Sequence, residues 1–236
     1  MKADLTIGDS AIILAACRKH GLSPQETAYV MATAYWETNG TMKPVREAYY
    51  LGQKAEAYRK KLYYYPAYGR GYVQLTHHTN YENAGKKLGV DLANNYDLAM
   101  QPEIAAEVLV RGSQEGWFTG RKLSNYIGSG GADYVGARRI INGKDKATEI
   151  AAVAEAYEAA LQPVDTDDLD MLKFGDRGAQ VTMLQEELVG LGLLSTNTYG
   201  YFGNKTLDAV KKYQRLKGLQ IDGKVGPKTW AALLGE

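Results

Sequence analysis

Apolar residues recur at helical spacing in several segments of the first 162 residues. The first predicted helix covers Ser10 to His20, with Gly21 as its stop. Ser23-Pro24-Gln25-Glu26 reads as a capping box with proline at the first helical position. The helix it opens runs through Ala28, Val30, Met31, Ala34 and Tyr35, and carries Glu37 at its C-terminal end. A further helix starts near Pro102 and contains Ile104, Ala105, Val108 and Leu109; a last one, rich in alanine and glutamate, spans Ala147 to Leu161. Residues Tyr68 to Thr76 suit a short hairpin or an extended loop. Tandem helix-sized segments without alternating strands argue against a βα repeat and for a mainly α protein.

The pattern breaks at Gln162-Pro163-Val164-Asp165-Thr166-Asp167-Asp168-Leu169-Asp170, an acidic run that reads as a linker. The expected organisation is one domain over 1–162, a linker over 163–170 and a second domain over 171–236. The second contains an internal repeat. Gly200-Tyr201-Phe202-Gly203-Asn204-Lys205-Thr206 and Gly223-Lys224-Val225-Gly226-Pro227-Lys228-Thr229 share glycines, a Lys-Thr pair and apolar positions after it. Each copy predicts a tight glycine turn followed by a helix that the threonine caps or opens. A looser copy begins at Gly175-Asp176-Arg177-Gly178, so about three short helices are expected.

Composition adds little to this picture and excludes several classes. Of the 236 residues, 45% are hydrophobic and 23% charged, and the net charge is +1, too small to steer the chain to nucleic acid. The single cysteine, Cys17, lies in an apolar run and reads as a core residue, not a catalytic thiol. That run is too short for a membrane span and lacks the basic flank of a secretory signal, so the expected place of synthesis and storage is the cytoplasm. Zinc chemistry wants several convergent ligands with histidine prominent. Only His20, His77 and His78 are present, and no metal or cofactor is expected.

The chemistry concentrates between Glu37 and Tyr81. Nine of the 18 tyrosines fall between Tyr49 and Tyr81, interleaved with Arg70, Gln74, Thr76 and Asn80. Aromatic faces take the CH faces of sugars, and amides and hydroxyls take their hydroxyl groups. Glycoside hydrolysis needs a carboxylic acid and a second carboxylate. Glu37 follows Tyr35-Trp36, and aromatic surface beside a carboxyl group disfavours its charged form. Glu47 comes after the turn-prone Thr38-Asn39-Gly40-Thr41, which can return it across a cleft from Glu37. The plainer alternative is a solvated Glu47 paired with Arg46 or Lys43, beside tyrosines that pack a core.

Glu37-Thr38-Asn39-Gly40, Pro44-Val45-Arg46-Glu47-Ala48-Tyr49, Tyr68-Gly69-Arg70-Gly71-Tyr72-Val73-Gln74-Leu75-Thr76 and Asn80-Tyr81 resemble the family 19 glycoside hydrolases. The branch they resemble most is that of phage endolysins, which share the chitinase fold and cut peptidoglycan. The resemblance covers about residues 24 to 160. It implies a lysozyme/chitinase-like helical catalytic domain with Glu37 as general acid, Glu47 as general base and Thr76 holding the attacking water. It further implies that Gln74, Asn80 and Asn142 bind substrate, that Tyr68 and Arg70 shape the substrate cleft, and that the anomeric centre inverts. The sequence departs from the plant members in carrying Trp36-Glu37-Thr38-Asn39-Gly40 where they have His-Glu-Thr-Gly-Gly, and in the shorter spacing of its two acids. Nor does it carry an arginine between Ala147 and Leu161, where they have one in the last helix.

Val181-x-x-Leu184-Gln185, Gly200-x-Phe202-Gly203-x-x-Thr206, Tyr213-Gln214 and Asp222-Gly223-x-Val225-Gly226-x-x-Thr229-Trp230 resemble the three-helix peptidoglycan-binding domain. From Leu172 onward nine lysines and arginines face six acids, a modest excess suited to an anionic wall. Together the two resemblances imply a monomeric endolysin that cuts between N-acetylmuramic acid and N-acetylglucosamine, waits in the host cytoplasm and reaches the wall through membrane holes made by another protein. The alternatives are a chitinase, a zinc amidase and a wall-binding protein without activity.

Overall fold

The computed structural model describes residues 3–162, 169–195 and 200–234. The chain divides into two compact units, one ending at Gln162 and the other following it. Most of the expected linker, residues 163–168, lies outside the described residues.

The helices of the first unit are α1 (Ser10–Lys19), α2 (Pro24–Glu37), α3 (Ala55–Arg59), α4 (His78–Leu88), α5 (Pro102–Glu115), α6 (Tyr134–Ala137) and α7 (Ala147–Leu161). Two short antiparallel ribbons accompany them: β1 (Val45–Arg46) with β2 (Arg70–Gly71), and β3 (Ile127–Gly128) with β4 (Gly131–Ala132). The capping box forms as expected. Ser23 Oγ accepts from the Glu26 N–H at 3.2 Å, and the Ser23 N–H donates to Glu26 Oε2 at 2.9 Å. Eight consecutive residues of α2, Thr27 to Ala34, are buried, so this helix is the axis of the unit and not an amphipathic surface element. It packs mainly on α7, while α1 packs on α5. Cys17 is fully buried, and burial pushes its thiol up to about 12, consistent with a core residue.

Helix α4 was not among the helices expected from the sequence. Its buried face consists of Tyr81, Ala84 and Gly85. Residues Tyr68 to Leu75 resolve the open choice in favour of a tight hairpin: Arg70 and Leu75 exchange backbone bonds of 3.2 and 2.9 Å.

The second unit contains α8 (Ala179–Gly190), α9 (Asn204–Leu216) and α10 (Pro227–Leu234) around Leu184, Leu188, Phe202, Tyr213, Val225 and Trp230. The repeat has a physical basis in two buried glutamines. Gln185 Nε2 donates to the Tyr201 carbonyl and Thr206 Oγ1, both at 2.9 Å, and its Oε1 accepts from the Gly200 N–H at 2.8 Å. Gln214 Nε2 donates to the Lys224 carbonyl at 2.8 Å, Asp222 Oδ1 at 3.0 Å and Thr229 Oγ1 at 3.4 Å, and its Oε1 accepts from the Gly223 N–H at 2.9 Å. Each glutamine thus ties a glycine turn to the helix that follows. The turns need glycine because φ is +81° at Gly200 and +72° at Gly223. Of the two roles expected of them, capping or opening, the threonines take the second: they sit in the first helical turn and receive a glutamine amide.

Replacing Gln214 by Leu removes a partner from the Gly223 N–H and the Lys224 carbonyl together. We expect a loss of about 2–4 kcal/mol, because each buried group left unpaired costs roughly 1–3 kcal/mol. In a unit this small, that is most of the available stability. Limited proteolysis of the full chain should then remove the second unit and leave the first. Equal resistance of variant and wild type would rule out this role for Gln214.

Candidate active site

Glu37 closes α2 and meets a cation. Its Oε1 accepts a 2.7 Å bond from Arg138 Nη1. Arg138 is 4% exposed and also donates from Nε to the Asp145 carbonyl at 3.1 Å. It follows α6 directly, and α6 is tied to α2 because Tyr29 donates its hydroxyl to the Ala137 carbonyl at 2.7 Å. Asp133 caps α6 by accepting from the Gly136 N–H at 2.7 Å. These bonds aim the guanidinium at the end of α2. An arginine does therefore face Glu37, supplied by the turn ahead of the last helix, outside the window 147–161.

Tyr35 and Trp36 pack against the core, and the Tyr35 ring meets Tyr157 edge-on at 6.3 Å. Successive residues on a helix diverge by about 100°, so neighbours in sequence do not share a face. Asn142 is exposed and one turn beyond Arg138, whose carbonyl accepts from the Asn142 N–H at 3.0 Å.

Glu47 has different surroundings. The β1–β2 pairing continues through the Glu47 N–H, which donates to the Gly69 carbonyl at 2.8 Å. Its carboxylate accepts from the Tyr64 hydroxyl at 2.8 Å on Oε1 and from the Gly69 N–H at 2.9 Å on Oε2. Arg59 Nε donates to the Glu47 carbonyl at 2.8 Å, not to its carboxylate. Arg46, offered by the sequence as a salt-bridge partner, pairs with Asp97 at 3.0 Å instead. Among the described residues, Glu47 is oriented by neutral donors and Glu37 by a charged one. Burial, together with the bond to Glu47, pushes the Tyr64 phenol up to about 12, so near neutrality it remains a donor.

The hairpin that follows is built by three of the residues singled out from the sequence. Arg70 is 4% exposed and lies 3.7 Å over the Tyr68 ring. It donates to Asp97 Oδ1 at 2.7 Å, to the Pro66 and Tyr68 carbonyls at 3.1 and 3.0 Å, and to the Tyr81 hydroxyl at 3.3 Å. Tyr68 is buried beneath it. Gln74 has φ of +54° and turns its amide inward, donating to the Val45 carbonyl at 3.0 Å. A side chain at Gly69 would come within 2.7 Å of Gln74 Oε1, so the glycine there lets the two strands close. Thr76 Oγ1 donates to the Gln74 carbonyl at 2.6 Å, and Asn80 Nδ2 donates to the Thr76 carbonyl at 2.8 Å; both residues are half-buried.

The structure therefore brings Glu47, Gly69, Gln74, Thr76 and Asn80 together on one hairpin and the start of α4. It sets Arg138 against Glu37 at the end of α2, with Asn142 one turn beyond Arg138. Sequence reasoning missed Arg138, Tyr64 and Gly69. Arg138 left no signal, because its pairing with Glu37 spans 101 positions. Tyr64 was indistinguishable from its tyrosine neighbours. The three histidines are apart in role: His20 pairs with Glu107 at 2.7 Å, His77 packs on Tyr64, and His78 bonds the Tyr96 hydroxyl at 2.9 Å. Among the described residues, no group of three or more His, Cys, Asp or Glu is placed to hold a metal ion. Nor is any described helix long and apolar enough to cross a membrane.

These features coincide with family matches. Residues 23–119 match the glycoside hydrolase 19 model, described as chitinase class I, and residues 177–233 match a peptidoglycan binding domain model. The chain carries a family 19 chitinase-type domain followed by a peptidoglycan-binding domain. The chain is 54% identical over 41 residues to chitinase 11 of Oryza sativa subsp. japonica, covering 17% of this chain and 16% of that protein. An uncharacterized protein of Kitasatospora aureofaciens is 50% identical over 64 residues, covering 27% of this chain and 54% of that protein. A solved bacterial family 19 chitinase is 24% identical, covering 64% of this chain and 85% of that one, with a TM-score of 0.45. An endolysin of Burkholderia phage AP3 is 42% identical, covering 27% of this chain and 24% of that one, with a TM-score of 0.26.

Proposed function

We propose that this protein is an endolysin-type glycoside hydrolase. Its first unit hydrolyses the β-1,4 bond between N-acetylmuramic acid and N-acetylglucosamine in peptidoglycan, and its second unit holds it on that insoluble substrate. The observation that carries this reading is the pair of carboxylates in unlike surroundings, within a domain joined to a wall-binding module. Glu37 Oε1 is committed to Arg138, so Oε2 would deliver the proton to the departing glycosidic oxygen. Glu47, held in place by Tyr64 and Gly69, would take a proton from water as that water attacks the anomeric carbon from the opposite face, giving inversion. The Thr76 proton is directed at the Gln74 carbonyl, so toward a water Thr76 can act only as an acceptor. That suits it to receive one water hydrogen while Glu47 takes the other. Asn80 and Asn142 would bind sugar substituents. Binding by the second unit raises the local concentration of substrate. We expect a monomer stored in the host cytoplasm and released through holes made by a separate protein.

A chitinase is the second reading, favoured by the match to the class I chitinase model. Digestion of purified peptidoglycan and of chitin oligomers separates the two. New reducing muramic acid ends, with slower cleavage of chitin, are the expected result. Peptide-bond cleavage alone, or faster cleavage of chitin, would overturn the lysozyme reading.

A further inference from the structure

The segment between Glu47 and the hairpin, with His77 just beyond the hairpin, contains a set of rings of which the acid–base chemistry uses only Tyr64. Tyr63 is 89% exposed, so it contributes little to a core. Its ring meets Tyr64 edge-on at 4.8 Å and lies 5.9 Å from the His77 ring. Tyr64 and His77 are in turn edge-on at 4.9 Å. Scattered exposed aromatics are ordinary on protein surfaces, but this group is contiguous with the site. Tyr64 bonds the Glu47 carboxylate at 2.8 Å, and His77 directly follows Thr76.

The backbone beneath the rings is pinned. The Ala67 N–H donates to the Tyr64 carbonyl at 2.7 Å, and the His77 N–H donates to the Ala67 carbonyl at 2.9 Å. His77 is held at φ +72°, a conformation uncommon for a residue with a side chain. A strained residue persists where its surroundings over-determine it, and here it directs an imidazole against Tyr64.

We propose that Tyr63, Tyr64 and His77 form an aromatic platform, adjoining Glu47, on which one pyranose ring of an N-acetylhexosamine glycan stacks. Tyr63 supplies the exposed face, while Tyr64 and His77 hold that face in register with the Glu47 carboxylate. Rings preset in this way lose little conformational freedom on binding, so their contact energy is retained. The proposal rests on the glycan-hydrolase reading above.

The test is steady-state kinetics of the full chain on peptidoglycan glycan strands freed of their peptides. Tyr63→Ala is expected to raise KM about three- to tenfold with little change in kcat, the scale of one aromatic contact. Tyr63→Trp should restore KM, because it restores an aromatic face. Because Tyr63 is exposed, neither change threatens folding. An unchanged KM in Tyr63→Ala, or a fall in kcat alone, overturns the platform while leaving the glycan-hydrolase reading intact. If the wild-type chain fails to cut the strands, both readings fall.

Discussion

Glu37→Gln is expected to slow wall hydrolysis by about 100- to 1,000-fold, the usual scale of general acid catalysis, with retention on insoluble peptidoglycan unchanged. Glutamine is the informative replacement. Arg138 is 4% exposed and its Nη1 donates to Glu37 Oε1. An alanine at position 37 would leave that buried guanidinium without the oxygen its Nη1 donates to, and a buried donor left unpaired destabilises the fold. A loss of lysis in that variant could then come from unfolding. Glutamine keeps an oxygen that accepts from Arg138 but has no carboxylic proton to give. The experiment pairs lysis rates with co-sedimentation on purified walls and a thermal melt. Wild-type lysis by Glu37→Gln would remove Glu37 as the acid. Weakened sedimentation would show that the first unit contributes to wall retention.

Arg70→Ala should produce the largest loss of stability, about 2–4 kcal/mol in the first unit. The ion pair with Asp97 is a small part of this, because the Asp97 side chain is 56% exposed and solvent screens it. The larger part comes from the interior. The Pro66 and Tyr68 carbonyls and the Tyr81 hydroxyl lose a charged donor, and the Tyr68 ring loses the cation stacked 3.7 Å above it. Lysine cannot substitute, because a single ammonium cannot reach partners that the guanidinium serves from separate nitrogens. A unit of this size loses roughly 2–4 °C of melting temperature per kcal/mol, so circular dichroism should show a drop of about 5–15 °C. An unchanged melt would mean that the hairpin holds without its arginine. Activity should fall with stability, because Gly69, the neighbour of Arg70, makes two of the bonds that position Glu47.

The two readings of residues 68–76 show where sequence and structure differ. The glycines, the arginine and the polar residues marked a functional loop, and the structure forms a hairpin beside Glu47. The division of labour within it was not visible. Gln74 and Arg70 are polar, and polar residues in a sugar-friendly motif suggest contact with ligand. Arg70 is buried and the Gln74 amide bonds the Val45 carbonyl, while the Thr76 and Asn80 side chains bond the Gln74 and Thr76 carbonyls. Whether a side chain points in or out of a tight loop depends on φ at single residues, such as the +54° at Gln74. No periodicity encodes that.

The elements readable from the chain were those specified by local physics. The capping box and proline at Ser23–Glu26, the stop at Gly21, the helix over Ala147–Leu161 and the glycine turns of the repeat all act within a few residues. Each could therefore be located from the sequence. The partners of the two glutamates lay beyond that range. Arg138 reaches Glu37 across 101 positions, and Tyr64 and Gly69 reach Glu47 across 17 and 22. Those pairings follow from the packing of α2 against α6 and α7 and from the closure of β1 on β2, which are long-range contacts with no local signature. Local propensity chose the helices and turns of this protein; the folding of the whole unit chose which charge faces Glu37 and which neutral donors hold Glu47.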